Sequence, residues 1–313
     1  MADAQAMTEQ LAEVHASELA TTTAWPAISR AAHALDLEAL RRELAAGVAV
    51  DLECTPGGRT PLQLVCGVDP GIVVYRRGGT HEAFVRWYLQ PYVQRAEANN
   101  SVRADRVACV ALLLEHGASP NPGGVHSPPL ILTCSGYDPR NEKQECRECS
   151  CTLPIVNMLL AAGGDADARH RDGNYTFSPL LRCVIRTGWD NNDDVADALL
   201  KAGASANSPE FGGKTLMEWA IQRRHRRLWP VLLRGGANLP PPGENPFNWP
   251  GASYNTERAD PYLQRIDAAG SWKAYEKAHR AALQAIFAPK FTHLVPPELV
   301  ARIVEYSFHL GFY

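Results

Sequence analysis

Four of the eight cysteines lie close enough together in the chain to suggest a metal site. Cys146, Cys149 and Cys151 follow one another closely, and Cys134 lies a short distance upstream. Four thiolates would suit tetrahedral zinc, and a bound metal could brace a polar loop. However, a second C-x-x-C pair is missing, and Cys134 falls at a small core position of a predicted helix. We therefore favour packed or surface thiols, expect no cofactor, and keep zinc as the alternative.

Residues 223–227 form a dense basic run, Arg-Arg-His-Arg-Arg. Such a run could bind RNA or phosphate, or serve as a nuclear-import signal. It contains no interleaved aromatic residues, and the net charge of the chain is −3, so a nucleic-acid partner is not favoured. We prefer the alternative that these residues form the polar outer face of a terminal helical repeat.

Catalytic motifs have little support in the sequence. None of the ten histidines stands in a nucleophile, metal-protease or general-base motif. Asp193 and Asp194 suit a helix N-terminus better than a catalytic carboxylate pair. The glycine pairs at 78–79 and 123–124 lack the lysine and the strand of a phosphate-binding loop. We expect the protein not to be an enzyme.

Composition places the chain among ordinary soluble proteins. Apolar residues make up 45% and charged residues 21% of its 313 positions, and no apolar run is long enough to span a membrane. The first 23 residues carry four acidic side chains and no Lys or Arg, the opposite of a secretory or organelle presequence. We expect a cytoplasmic location, with the nucleus as the alternative, where thiols stay reduced.

A short helix-ending pattern returns along the chain and organises it. Its clearest copy is residues 198–207, which read ALLKAGASAN. Related copies have their helix-ending glycine at Gly117, Gly163 and Gly236, and a weaker copy has it at Gly47. A glycine in this place accepts the positive φ of a helix C-cap. The recurrence predicts an array of helical repeats.

Each closing pattern has an opening partner, of which residues 58–64, GRTPLQL, are the most complete. Thr can cap a helix and Pro suits its first position. A Thr-Pro-Leu opening and a Leu-Leu-x-x-Gly-Ala ending together resemble the ankyrin repeat, a unit of about 33 residues. The resemblance covers residues 24–238. It implies a right-handed ankyrin-repeat solenoid of five helix-turn-helix units with β-turn fingers, which binds protein through its fingers and first helices.

The expected fold is therefore all-α, with a repeat domain at 24–238 between an N-terminal tail at 1–23 and a Pro-rich linker at 239–253. A small C-terminal helical cap at 254–313 completes the chain. Gly203 and Gly236 are 33 residues apart, whereas Gly47 and Gly117 are 70 apart. The Gly117–Gly163 and Gly163–Gly203 intervals are also longer than 33 residues. This excess length predicts insertions near 67–104 and 135–150.

The first insertion is predicted to contain an amphipathic helix at 81–89 with Phe84, Trp87 and Tyr88 on one side. We expect this helix to continue past Pro91 to about residue 98, with a kink or a restart at the proline.

The resemblance implies that partner-binding side chains lie on the fingers and first helices. Exposed aromatic residues would carry much of the binding energy there, although packing against a neighbouring finger is the alternative. The partner is expected to be a protein, with neither a membrane nor a nucleic acid involved. The candidate residues are Arg59, Leu64, Tyr175, Phe177, Arg182, Phe211 and Glu218.

Residues 294–304, LVPPELVARIV, are similar to the opening of an F-box. This resemblance implies an alternative function as a ubiquitin-ligase substrate adaptor, with a ligase subunit as partner. A single predicted helix follows, whereas an F-box has more. We prefer the interpretation that this helix caps the end of the array.

Overall fold

A computed structural model describes residues 22–67, 92–135, 152–172, 175–185, 192–243, 245–247, 254–291 and 296–309. The chain divides into two compact units, Met1–Ala204 and Ser205–Tyr313. Helices dominate both units, and the all-α fold class is confirmed.

The first unit is built from pairs of helices stacked in two layers. Each first helix packs on the first helix of the next pair, and the second helices pack in the same way. The two helices of a pair also pack on each other, so every pair buries its apolar faces between neighbours. The first helices are α1 (Ala27–Ala34), α3 (Pro61–Gly67), α5 (Pro129–Ser135) and α7 (Pro179–Ile185). The second helices are α2 (Leu37–Ala45), α4 (Tyr92–Glu115), α6 (Thr152–Ala161) and α8 (Asn192–Lys201).

Side-chain caps fix the starts of α2 and α3. Asp36 accepts a 3.0 Å hydrogen bond from the backbone N–H of Ala39, which fixes the start of α2. Ahead of α3, the Thr60 hydroxyl accepts from the Gln63 N–H at 3.3 Å. The Gln63 side chain in turn accepts from the Thr60 N–H at 2.9 Å. This reciprocal capping box satisfies two N–H groups that the helix leaves unpaired.

Glycines end the second helices in a left-handed conformation, as the repeated pattern predicts. Gly203 has a φ of +100°, and an added Cβ there would meet nothing within 4 Å. Backbone conformation, not lack of space, therefore requires glycine at this position. The N–H of Ala204 bonds to the carbonyl of Leu199, and that of Gly203 to Leu200, which closes the last turn.

The insertions near 67–104 and 135–150 stay predictions, because most of their residues lie outside the described ranges. Helix α3 ends at Gly67 and α5 at Ser135. Residues 68–91, with the predicted aromatic helix, and residues 136–151 lie outside the described residues. Helix α4 begins at Tyr92, so the end of the first insertion and the second helix of its pair form one continuous helix. No Gly or Pro interrupts α4, which explains its continuity.

One finger of the first unit forms a small antiparallel hairpin. Strand β1 (His170–Asp172) pairs with β2 (Tyr175–Phe177), and His170 lies opposite Phe177. The hairpin leads directly into α7, so its second strand carries two candidate aromatic residues to the start of a first helix.

The second unit contains the fifth helical pair, α9 (Leu216–Gln222) and α10 (Leu228–Arg234), followed by C-terminal helices. Helix α11 packs on α9, and α13 packs on α10, α12 and α14. Within this unit the ring of Phe247 lies 5.0 Å from that of Trp219 and 5.7 Å from that of Tyr254. The C-terminal helices are α11 (Tyr254–Arg258), α12 (Pro261–Ala268), α13 (Trp272–Phe291) and α14 (Pro297–His309).

Candidate functional site

Hydrogen bonds between neighbouring loops hold the fingers of the first unit in place. The Asp51 carboxylate accepts from the backbone N–H of Ser119, at 3.2 and 3.1 Å to its two oxygens. The Asn121 side chain donates to the carbonyl of Gly163 and accepts from the N–H of Asp165, both at 2.8 Å. Each finger is therefore positioned by the loop next to it, and less conformational entropy remains to be lost when a partner binds.

Arg182 on α7 stacks on the ring of Phe177 at the end of the hairpin finger. The Arg182 guanidinium carbon lies 3.6 Å from the centre of the Phe177 ring, within the range of a cation–π interaction. Both residues are half-buried, so each keeps part of its surface available. Tyr175 lies on the same strand, but its side chain is outside the described part of the chain.

Arg59 and Leu64 are placed differently. Arg59 is exposed in the loop before α3, and its carbonyl accepts a 3.0 Å hydrogen bond from the N–H of Cys54. Leu64 is only 3% exposed and belongs to the core of the first unit. Residues 61–66 of α3 are all buried, so the helix has no exposed side at Leu64, and we leave Leu64 out of the proposed binding surface.

Two exposed apolar side chains on the fingers were not among the candidates. Val125 is 77% exposed in the loop before α5, and Leu52 is 41% exposed in the loop before α3. Neither residue stands in a periodic pattern. The signal available for Val125 was a single apolar residue within an otherwise polar, Pro- and Gly-rich turn, whereas Leu52 lies beside other apolar residues and carried no such signal.

Glu218, a candidate of the second unit, takes part in a capping box. One carboxylate oxygen, Oε2, accepts from the Thr215 N–H at 2.7 Å and from the Thr215 hydroxyl at 3.0 Å. The Thr215 hydroxyl accepts in return from the Glu218 N–H at 3.2 Å. Phe211 begins the short 3₁₀ turn Phe211–Gly213, but its side chain is outside the described part of the chain.

Two arginines of the basic run at 223–227 are neutralised within the second unit. Arg224 pairs with Glu257 at 3.0 Å, and Arg226 with Asp260 at 2.5 Å. Burial, followed by the positive charge of Arg223, lowers the pKa of His225. The run therefore contributes ion pairs to its own unit, which weakens its interpretation as a nucleic-acid patch.

The cysteines that the structure describes are all buried. Cys54, Cys66, Cys109, Cys134 and Cys183 are buried and form no disulfide bond. Burial raises the pKa of the Cys66 thiol, and the charge of Arg106 and a hydrogen bond with Thr133 oppose that shift. Across the described ranges, no three His, Cys, Asp or Glu residues are grouped so that they could hold a metal ion. Cys146, Cys149 and Cys151 lie outside those ranges, so the zinc alternative stays a prediction.

Residues 297–304 of the F-box-like segment lie in α14, which packs on α13. Val300 and Val304 are each 2% exposed, whereas Leu299 and Ile303 are 43% and 51% exposed. Residues 299 and 303 are one helical turn apart, so the exposed pair lies on one side of the helix.

The stacked helical pairs and the glycines that end their second helices are consistent with an all-α repeat solenoid. Over part of its length the chain is similar to inversin, an ankyrin-repeat protein, of several species. It is 33% identical to inversin of Mus musculus over 75 residues, or 24% of this chain. The identity is 32% over 75 residues for Homo sapiens and 28% over 81 residues for Gallus gallus. Each match spans 7% of the length of the relative.

No protein-family model matches the chain. Among the described helices, none combines the length and the apolar character needed to cross a membrane.

Proposed function

We propose that this chain is a non-catalytic protein-interaction module whose partner binds along the fingers and first helices of the first unit. The observation that carries the proposal is Val125, which is 77% exposed on a finger whose neighbouring residue Asn121 is bonded to the next loop. Single exposed apolar residues are common on protein surfaces. Here Leu52, Val125 and Phe177 occupy three different fingers of one stack, which favours a shared apolar contact surface.

Two arginines supply polar contacts beside these apolar residues. Arg59 is exposed on the finger that also carries Leu52, and Arg182 stacks on Phe177. Arginine presents a planar set of donors that suits carboxylates and backbone carbonyls. Stacking restricts the Arg182 side chain before binding, which reduces the entropy lost on association. The proposed surface therefore combines apolar contacts with hydrogen-bond donors.

Photocrosslinking of the full-length chain in cells tests this surface. The residue p-benzoylphenylalanine is placed at Val125 or Leu52, with the exposed Arg41 of α2 as the control position. The same crosslinked partner is expected from positions 125 and 52 and not from position 41. Equal crosslinking from all three positions, or none from both finger positions, would remove the proposed surface.

The exposed pair on α14 favours a second candidate, the ligase adaptor. Leu299 and Ile303 would form its contact with a ligase subunit, because exposed apolar pairs on one helix face suit helix–helix association. Affinity purification of the full-length chain tests this function. Ligase subunits should co-purify with the parent chain and be lost from the Leu299→Ser, Ile303→Ser double variant. Their absence from the parent chain would end the adaptor hypothesis.

A further inference from the structure

A small cleft in the second unit combines a carboxylate, a buried hydroxyl and proline rings. It encloses about 110 Å³. That volume is well below the range of about 300–1,000 Å³ typical of drug-sized ligand sites, and suits the end of one side chain. The cleft is independent of the finger surface proposed above. Its lining residues are Glu218, Pro240, Pro241, Asn245, Pro246 and Tyr254.

One oxygen of the Glu218 carboxylate, Oε1, takes no part in the capping box. The capping-box bonds from Thr215 both go to Oε2, which leaves Oε1 as an acceptor. Within the described part of the second unit, no Lys, Arg or His side chain forms an ion pair with Glu218. Other carboxylates of this unit, such as Glu257 and Asp260, are paired with arginines. Glu218 therefore gives the cleft a negative charge that its own unit does not neutralise.

The Tyr254 hydroxyl is the second polar group of the cleft. The residue is 0% exposed, and its oxygen has no hydrogen-bond partner among the described residues. Buried hydroxyls normally have a partner, so this one is expected to bind a group that enters the cleft. Burial, and then the nearby Glu218 carboxylate, raise the pKa of the Tyr254 phenol, while Arg258 opposes the shift. The hydroxyl is therefore neutral at physiological pH, and its oxygen can accept a hydrogen bond.

The remaining groups near the cleft restrict what can enter. Pro240, Pro241 and Pro246 offer apolar rings without N–H donors, which suit a methylene chain. The charge of Arg258 is compensated, because the guanidinium donates at 2.8 Å to the Pro240 carbonyl and at 2.8 Å to Asp267. The Glu218 carboxylate would repel an anion, whereas a compact cation would meet two acceptors and an apolar wall.

We propose that this cleft binds the end of a lysine side chain from a protein partner. Its ammonium group donates to Glu218 Oε1 and to the Tyr254 hydroxyl oxygen, and its methylene groups pack on the proline rings. A lysine fits better than an arginine, because an ammonium is a compact point charge whereas a guanidinium is a wide planar fork. Lysine also carries a long apolar stem, which matches the walls of the cleft.

The test uses the full-length chain and n-butylammonium chloride, whose four carbons reproduce the lysine side chain. Backbone amide NMR shifts of Glu218 and Tyr254 report binding, and n-butanol at matched ionic strength is the neutral control. Butylammonium should shift these signals to saturation, and butanol should not. Glu218→Gln retains the capping box, because glutamine also fits its third position, and should weaken binding by about tenfold or more. Tyr254→Phe should also weaken binding, without loss of helical circular dichroism.

Three results would overturn the proposal. The first is the lack of a saturable shift with butylammonium. The second is a response to butanol as strong as the response to butylammonium, which would show an apolar cleft without cation recognition. The third is unchanged affinity in either Glu218→Gln or Tyr254→Phe, because both acceptors belong to the proposed site.

Discussion

The side-chain Oδ1 of Asn121 accepts a 2.8 Å hydrogen bond from the backbone N–H of Asp165, although 44 positions separate the two residues. The amide nitrogen of the same side chain donates to the carbonyl of Gly163 at 2.8 Å. One side chain thus joins its own finger to the end of the next helical pair. The second unit repeats the arrangement, since Asn207 bonds to the carbonyl of Gly236 and to the N–H of Asn238.

Replacing Asn121 should loosen this connection. Asn121→Ala removes both hydrogen bonds and is expected to lower the free energy of unfolding by about 1–3 kcal/mol, at about 0.5–1.5 kcal/mol for each bond. Urea denaturation followed by circular dichroism measures the change. Asn157→Ala, at an exposed position of α6, is the matched control and should change stability by less than about 0.5 kcal/mol. Equal effects of the two substitutions would show that the Asn121 bonds contribute nothing.

A buried arginine should contribute more to stability. Arg106 is 1% exposed, and its guanidinium donates to the carbonyls of Val65, at 3.1 Å, and Cys66, at the end of α3. Arg106→Met leaves these buried carbonyls without that donor and should cost about 2–4 kcal/mol. Arg41→Met removes only an exposed pair with Glu38 and should cost less than about 1 kcal/mol in the same urea experiment. A loss at Arg106 no larger than that at Arg41 would contradict the capping role.

A closing glycine offers a test of backbone conformation. Gly203→Ala places a side chain at a φ of +100° and should cost about 1–2 kcal/mol. Gly123→Ala is the control, because Gly123 has no positive φ and an added Cβ meets nothing within 4 Å. That control should be neutral or slightly stabilising. Thermal unfolding of both variants measures the difference, and similar melting temperatures would argue against the left-handed cap at Gly203.

Local rules explain why much of the fold was predictable. Asp36 and Gly203 act through bonds to residues a few positions away, so their roles follow from the sequence pattern alone. Arg106 was not predicted, because its partners lie 41 and 40 positions earlier and are brought close only by packing. Helix α11 could not be predicted from the sequence pattern either, because its five residues are too few to show helical periodicity.

The candidate surface was less predictable for the same reason. The repeat resemblance predicts Leu64 on a partner surface, but its burial depends on the neighbouring helices, which the pattern does not specify. Val125 has no periodic context, and only the folded loop shows its exposure. The cleft at Glu218 and Tyr254 forms from residues 36 positions apart, joined by a linker whose path the sequence does not specify.

Stability should fall as the pH is lowered below the ordinary histidine pKa. Burial lowers the pKa values of His225 and His279, with Arg223 and Arg265 contributing to the respective shifts. In the folded state these rings stay neutral, while the unfolded chain binds protons once the pH drops past the ordinary value of 6.5. The unfolded state then holds more protons, so their contribution is complete above that pH and is lost as the pH falls towards the folded-state pKa values.

Urea midpoints measured by tryptophan fluorescence at about pH 7.5 and about pH 5.5 should show this loss, because the two values bracket the ordinary histidine pKa. His225→Asn removes one titrating group and should reduce the difference between the two midpoints. A variant with the same pH dependence as the parent chain would exclude His225 as a contributor.

Helix α4 has a mechanical consequence for the insertion that precedes it. Its 24 residues span about 36 Å at about 1.5 Å per residue, without a Gly or Pro at which the helix could bend. Its Arg106 side chain donates to the carbonyls of Val65 and Cys66 at the end of α3, so a displacement of α4 along its length would be transmitted to that contact.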